Sequence, residues 1–209
     1  FAEWFVGGKL NVAYNCLDRH VEDGHGDKVA YYWEAETGPG RAITYGELLA
    51  EVSRAANYFT ELGLRTGDRV AIYMPMVPEA IVAMLACARI GAVHSVVFGG
   101  FAANELANRI SDARPKVIVS ASCGIEVGRV IPYKPLLDKA IELASVKPER
   151  CIIVQRPQEK ASMIAGHDLD WSEQMADAKP TGCVPVAATD PLYILYTSGT
   201  TGMPKGIVR

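Results

Sequence analysis

The sequence predicts an α/β fold with a mostly parallel sheet flanked by helices. Short runs rich in Val and Ile alternate with longer segments whose apolar residues recur every three or four positions, giving strand, helix, strand, helix, strand, helix, strand. One of the short runs, Val93 to Phe98, is apolar on both faces, as expected inside a parallel sheet. Close to the end, the apolar run Leu192 to Tyr196 leads into a glycine-rich loop, so a strand delivers a loop suited to holding an anion.

Residues 1–43 are expected to form an entry segment. Trp4 to Leu10 lead in, and Asn11 to Val21 carry Val12, Leu17 and Val21 at helical spacing, with a stop near Gly24. Trp4, Phe5 and Tyr14 are expected to pack against the body rather than bind ligand. Lys28 to Glu34 reads as a strand, followed by a turn at Thr37-Gly38-Pro39-Gly40. Residues 44–154 are expected to be the α/β core. Thr44 and Glu47 make a capping-box pattern, the stripe Leu48, Leu49, Val52, Ala55, Ala56, Phe59 and Leu62 continues it, and Gly63 supplies the stop.

Arg69 to Met74 is a short apolar strand. Glu79 to Ile90 is a helix with almost no polar face, hence buried on most sides, and Gly91 ends it. Val93 to Phe98 is the next strand, closed by Gly99-Gly100. Ala102 to Arg114 repeats Leu106 and Ile110 at helical spacing before Pro115. Val117 to Val119 is a strand, Pro135 to Ser145 a helix and Cys151 to Val154 a strand. Residues 155–191 read as a connector with one short helix, Trp171 to Ala178. Residues 192–209 hold the loop and the strand that delivers it.

The chain has 209 residues, 49% hydrophobic and 22% charged, an ordinary soluble globular composition. Its net charge of −3 gives no reason to propose nucleic acid or an anionic membrane as partner. No apolar run approaches the length of a membrane span, and no charged-then-apolar leader opens the chain. The five cysteines lack metal-ligand spacing, their number is odd, and free thiols in a reducing cytoplasm are expected. The four histidines are scattered and none is assigned to metal. The chain begins at Phe1 and stops at Arg209, directly after the loop, so it is expected to be a piece of a longer protein whose main partner is its own missing remainder.

The loop is Tyr196-Thr197-Ser198-Gly199-Thr200-Thr201-Gly202-Met203-Pro204-Lys205-Gly206. Its glycines let backbone N–H groups turn toward an anion, its hydroxyls add donors, and Lys205 supplies a mobile point charge. Together they read as a polyphosphate cradle. It is not the common P-loop: Lys205 lies between Pro204 and Gly206, so the hydroxyl that would hold magnesium is missing. Ile207 and Val208 point to a following strand rather than a helix, so the loop should join two strands. A flexible Gly/Thr linker is the bland alternative.

The motif Y-T-S-G-T-T-G-x-P-K-G resembles the phosphate-loop signature of the adenylate-forming superfamily, which includes acyl-CoA synthetases, peptide-synthetase adenylation domains and luciferases. The resemblance implies the N-terminal part of that superfamily's large domain, with activation of a carboxylate by Mg-ATP as an acyl-adenylate. It implies that Thr197, Ser198, Gly199, Thr200, Thr201, Gly202 and Lys205 bind the β- and γ-phosphates, with Thr201 and Lys205 acting on the leaving pyrophosphate. Asn15 to Glu22, Arg69 to Pro75 and Met84 to Phe101 are similar to the acetyl- and propionyl-CoA synthetase branch. Thr200 and Arg209 look more like propionate–CoA ligases, since acetate enzymes usually carry Ser and His there.

In that branch the segment matching Ser122 to Arg129 binds the CoA nucleotide. The resemblance places Glu126, Val127, Gly128 and Arg129 at CoA, with Arg129 matching one of two arginines near its 3′-phosphate. Glu126 stands where the other would be, a departure that sets a carboxylate where a phosphate is expected. An adenylating domain that acylates a carrier-protein thiol is the alternative enzyme reading. The adenine pocket, an acidic metal-binding motif and the lysine of a C-terminal lid follow the loop in the resembling enzymes. Residues 1–209 alone are therefore expected to be inactive.

Overall fold

A computed structural model describes residues 5–35, 37–197 and 205–209. The chain groups into two units that interleave in sequence. One comprises Phe1–Gly67, Met76–Ala92 and Asp177–Asp190, the other Asp68–Pro75, Val93–Ala176 and Pro191–Arg209.

The second unit is built on a five-stranded sheet. Its strands run in the order Asp168–Asp170, Arg150–Val154, Val117–Ala121, Arg69–Met74, Val93–Phe98, and every neighbouring pair is parallel. Ala71 lies opposite Ser95 on one side and Ile118 on the other, Ile118 opposite Cys151, and Cys151 opposite Asp168. The three inner strands, Arg69–Met74, Val117–Ala121 and Arg150–Val154, are buried apart from Arg69 and Arg150 at their starts, which is why they read as apolar runs. Val93–Phe98 differs from the expectation. It is an outer strand of this sheet, and its alternate residues Val96 and Phe98 are 43% and 66% exposed.

Helix α3, Ala103–Ala113, and helix α4, Tyr133–Leu143, pack together and onto this sheet. Leu106 and Ile110 of α3 and Leu137 and Ala140 of α4 are fully buried in one cluster with Tyr73, Val97, Ile118 and Ile153. Pro115 follows the left-handed Arg114 that ends α3, and Pro135 sits in the first turn of α4, where its missing N–H costs no helical bond.

The stretch expected to be a connector also supplies the outer strand Asp168–Asp170 and the helix Trp171–Asp177. That strand was not foreseen because it is three residues long with one apolar member, too short to show a period. Asp168 secures it. Its side chain is fully buried, and it accepts from Lys134 Nζ and from the Ile164 amide, each at 2.8 Å, and meets His167 Nδ1 at 2.8 Å. Burial pushes the carboxyl upward, but the bonds from Lys134, Ile164 and His167 outweigh it and hold Asp168 below the usual carboxylate range.

In the first unit, α1 (Tyr45–Glu61) opens with the expected reciprocal cap. Thr44 Oγ1 accepts from the Glu47 amide at 3.2 Å, and Glu47 Oε2 accepts from the Thr44 amide at 2.8 Å. Helix α2 (Pro78–Ile90) packs on α1 and has no exposed residue, as its lack of a polar face predicts. Gly91 ends α2 at φ +74°, in the left-handed region that a side chain resists. The strand expected over Lys28 to Glu34 spans Val29–Trp33 and pairs with Arg41–Thr44 as an antiparallel hairpin. The segment from Val12 is helical, with π-helical turns over Tyr14–Asp18 and Val21–His25, and is broken at Gly24, whose φ of +79° is left-handed, where the stop was expected.

A buried polar network joins these pieces. Asn11 Nδ2 lies 2.8 Å from the Ala88 carbonyl, 3.0 Å from that of Arg89 and 2.8 Å from that of Val184. It thereby satisfies carbonyls that the end of α2 leaves open. Arg89, with 5% of its side chain exposed, grips both carboxylate oxygens of Asp18 at 2.7 and 2.9 Å and donates through Nε to the Thr181 carbonyl. Among the described residues no helix is long and apolar enough to cross a membrane.

Candidate functional site

The glycine-rich loop is carried by a two-stranded antiparallel hairpin, Ile194–Thr197 with Lys205–Val208. The expectation of a strand on each side of the loop is met. The register sets Ile194 opposite Val208, Leu195 opposite Ile207, Tyr196 opposite Gly206 and Thr197 opposite Lys205. Ser198 to Pro204 lie outside the described residues, and with them Ser198, Gly199, Thr200, Thr201 and Gly202. Thr197 and Lys205 are described, both exposed and directly opposed on the rung at the mouth of the loop.

The base of the hairpin joins the sheet. The His94 amide donates to the Leu192 carbonyl at 3.3 Å, and His94 forms a parallel bridge with Tyr193. The Arg209 carbonyl accepts from the amides of Leu192 and Tyr193. The His94 ring lies 5.8 Å from the Tyr193 ring, burial pushes its pKa down to about 4, and its Nδ1 has no partner among the described residues. It is a neutral imidazole at the root of the hairpin.

Tyr196 fixes the hairpin nearer its tip. Its hydroxyl donates to Asp112 Oδ2 on α3 at 2.5 Å. The Arg109 guanidinium stands 5.4 Å from the centre of the Tyr196 ring and 4.2 Å from that of Phe101. Burial and then the Asp112 carboxylate push the Tyr196 phenol far above its usual range, so it stays a donor. Asp112 and Arg109 were not singled out from sequence. Asp112 sits on the exposed side of α3 and Arg109 on the flank of its buried stripe, and in the sequence both look like ordinary surface charges.

The segment assigned to CoA by resemblance is a second hairpin. Cys123–Glu126 pairs antiparallel with Arg129–Pro132, and Val127-Gly128 form the two-residue turn. Both turn residues have positive φ, +49° and +75°. Such turns match the twist of the flanking strands, and Gly128 suits its position while the β-branched Val127, 95% exposed, is strained. The turn escaped the sequence reading because Val-Gly lacks the usual Asn-Gly signal. Glu126 and Arg129 face each other across the last rung, and Arg129 is exposed. Glu126 is thus neighbour to Arg129 rather than a second cation beside it.

Tyr133 holds this hairpin against the sheet. The ring is 2% exposed, stacks on Tyr73 at 5.0 Å between centroids, and passes Gly99 and Gly124 so closely that a Cβ there would come within 2.3 and 2.4 Å of its hydroxyl. Replacing Gly124 by Ala (G124A) is therefore expected to destabilise the protein by roughly 1–3 kcal/mol, because the ring has no free side to move toward. Thermal unfolding of the full-length protein checks this, and an unchanged midpoint would show that the ring yields.

Beside the base of this hairpin a cavity of about 230 Å³ is lined by Ser122, Lys134, Asp138, Glu159, Lys160 and Ser162 among others. It is smaller than the ~300 Å³ at which ligand sites usually begin. Cys151, His167 and Asp168 bring possible metal-ligand atoms within 4.8 Å of one another. Asp168 is already engaged by Lys134, His167 and the Ile164 amide, so this cluster is a structural network.

The architecture thus defines a parallel α/β protein whose sheet edge carries the hairpin strands Ile194–Thr197 and Lys205–Val208 that flank the glycine-rich motif. The chain belongs to the AMP-binding enzyme family, which it matches over residues 17–209. It is 54% identical over 208 residues to the acyl-CoA synthetase short-chain family member 3, mitochondrial, of Rattus norvegicus, an alignment covering 99% of this chain and 30% of that protein. It is 54% identical over 213 residues to the acetyl-coenzyme A synthetase of Streptomyces avermitilis, covering 100% of this chain and 32% of that one. Among solved structures, the acetoacetyl-CoA synthetase from Streptomyces lividans superposes with a TM-score of 0.88 at 30% identity, over 99% of this chain and 31% of that chain. The chain therefore spans about a third of the length of these relatives.

Proposed function

We propose that the full-length protein is an AMP-forming ligase that joins a short-chain carboxylate to CoA. A carboxylate oxygen attacks the α-phosphorus of Mg-ATP, the bond to the β-phosphate oxygen breaks, and pyrophosphate leaves. The CoA thiolate then attacks the acyl carbon and AMP leaves. The observation that carries this reading is the opposed pair Thr197 and Lys205, flanking the segment Ser198-Gly199-Thr200-Thr201-Gly202 on a hairpin in a member of the AMP-binding enzyme family. Hydroxyls, loop amides and one cation suit a pyrophosphate leaving group, whose charge must be neutralised as it develops. Magnesium enters with ATP as part of that substrate.

CoA is read onto the second hairpin. Arg129 presents an exposed cation at its tip, beside the backbone of Val127 and Gly128. Propionate is favoured as the carboxylate on Thr200 and Arg209, whereas the 54% identity to an acetyl-coenzyme A synthetase favours acetate as the second reading. The five cysteines are free, which suits a reducing compartment such as the cytoplasm.

ATP–pyrophosphate exchange on the full-length protein, with acetate, propionate and butyrate in parallel, tests the reading. Propionate-dependent exchange followed by CoA consumption is expected, with none from residues 1–209 alone. Exchange at least as strong with acetate moves the assignment to acetate. Acyl transfer only to a carrier protein, and not to free CoA, overturns the CoA half.

A further inference from the structure

The rung that precedes the phosphate loop is tied to α3 by side chains outside the loop. Tyr196 lies opposite Gly206, one step before the Thr197–Lys205 rung at the loop's mouth. Its hydroxyl donates to Asp112 Oδ2 at 2.5 Å, across 84 positions of sequence. The Arg109 guanidinium is held by the Glu105 carbonyl at 2.7 Å and the Glu105 carboxylate at 3.0 Å, and it stands between the rings of Phe101 and Tyr196. The absence of a side chain at position 206 completes the arrangement. A Cβ there would lie 3.2 Å from Tyr196 Cε1 and 3.3 Å from Asp112 Oδ2, tighter than ordinary contact.

We propose that Asp112 and Arg109 are positioning residues for the phosphate loop, acting through Tyr196 to hold the Thr197–Lys205 rung in one place. The proposal rests on the function given above. A hairpin of four residues a side is marginal by itself, so its placement must come from what it packs on. A hydrogen bond to a carboxylate is among the stronger neutral-to-charged contacts. A ring held from one side by that bond and by a cation on its face has little freedom to tilt. Because Lys205 immediately precedes Gly206, the residue opposite Tyr196, a tilt of the ring moves the lysine relative to the bound phosphates. Positioning errors of this kind weaken binding of the phosphates more than binding of the carboxylate.

The test uses the full-length protein and the variants D112A, D112N, Y196F and D112A/Y196F. Two quantities are read: amide hydrogen exchange over 194–197 and 205–208, and ATP–pyrophosphate exchange with separate KM values for Mg-ATP and for the carboxylate. D112A and Y196F should each raise amide exchange in the hairpin and raise KM for Mg-ATP about tenfold, with KM for the carboxylate within about twofold. The double variant should be no worse than either single one, and D112N, which keeps an acceptor oxygen, should recover most of the loss. Y196F removes one oxygen and keeps the ring, so it carries the test if D112A does not fold. A lower rate with both KM values unchanged would mean fewer folded molecules and overturns the proposal. So does unchanged kinetics despite a loosened hairpin. Wild-type protein that exchanges pyrophosphate with no carboxylate overturns the function itself, and the amide exchange still reads whether the anchor exists.

Discussion

D18A should destabilise the full-length protein by about 3–5 kcal/mol, read as a lowered unfolding midpoint. Asp18 supplies both carboxylate oxygens to Arg89, whose side chain is 5% exposed, and also accepts weakly from the Cys183 thiol at 3.7 Å. Removing the carboxylate leaves a buried guanidinium with the Thr181 carbonyl as its remaining partner among the bonds described. A buried charge stripped of its counter-charge costs far more than the pair contributes. The double variant D18L/R89M should regain most of the loss, since apolar replacement of both partners removes the stranded charge. If the double variant is as unstable as D18A, the damage lies in packing at α2 and not in the charge.

K205A should lower ATP–pyrophosphate exchange about 10²-fold in the full-length protein, as the loss of one donor aimed at developing charge does elsewhere. Lys205 is exposed on the first rung after the motif, so its removal strands no buried partner. Its substitution should leave folding intact, and the unfolding midpoint serves as the control. K205R keeps the charge but replaces a compact point by a planar fork, and is expected to fall between wild type and K205A. Exchange unchanged in K205A, with the protein folded, would remove the lysine from the leaving-group site.

Wherever a segment is long and its period strong, it was legible in the sequence. Helix α1 begins at its capping box and α2 ends at Gly91, both as expected, because a cap or a left-handed glycine is a local rule that tertiary packing does not override. Arg69–Met74 has the boundaries its apolar run implies. The missed elements are short, among them Arg41–Thr44, Arg129–Pro132 and Asp168–Asp170, which exist through partners distant in sequence or through a strained turn. The exposure of Val96 and Phe98 was also hidden, since composition cannot tell an inner strand from an outer one. At the candidate site the motif pointed to Thr197 and Lys205, which the structure sets opposite each other, while Ser198 to Gly202 lie outside the described residues. Asp112, Arg109 and Tyr133 gave no signal, because their importance lies in what they touch across the fold, and a period of 3.6 records only which side of a helix they occupy.

The interleaving of the two units has a bearing on how this chain can be divided. Each unit is assembled from three separate stretches, and the boundaries fall after Gly67, Pro75, Ala92, Ala176 and Asp190. No single cut yields either unit as a continuous polypeptide, so neither can be inherited, duplicated or fused elsewhere as a cassette. The short stretch Asp68–Pro75 belongs to one unit while α1 and α2 on either side belong to the other. A crossover anywhere between Asp68 and Asp190 therefore divides both units at once.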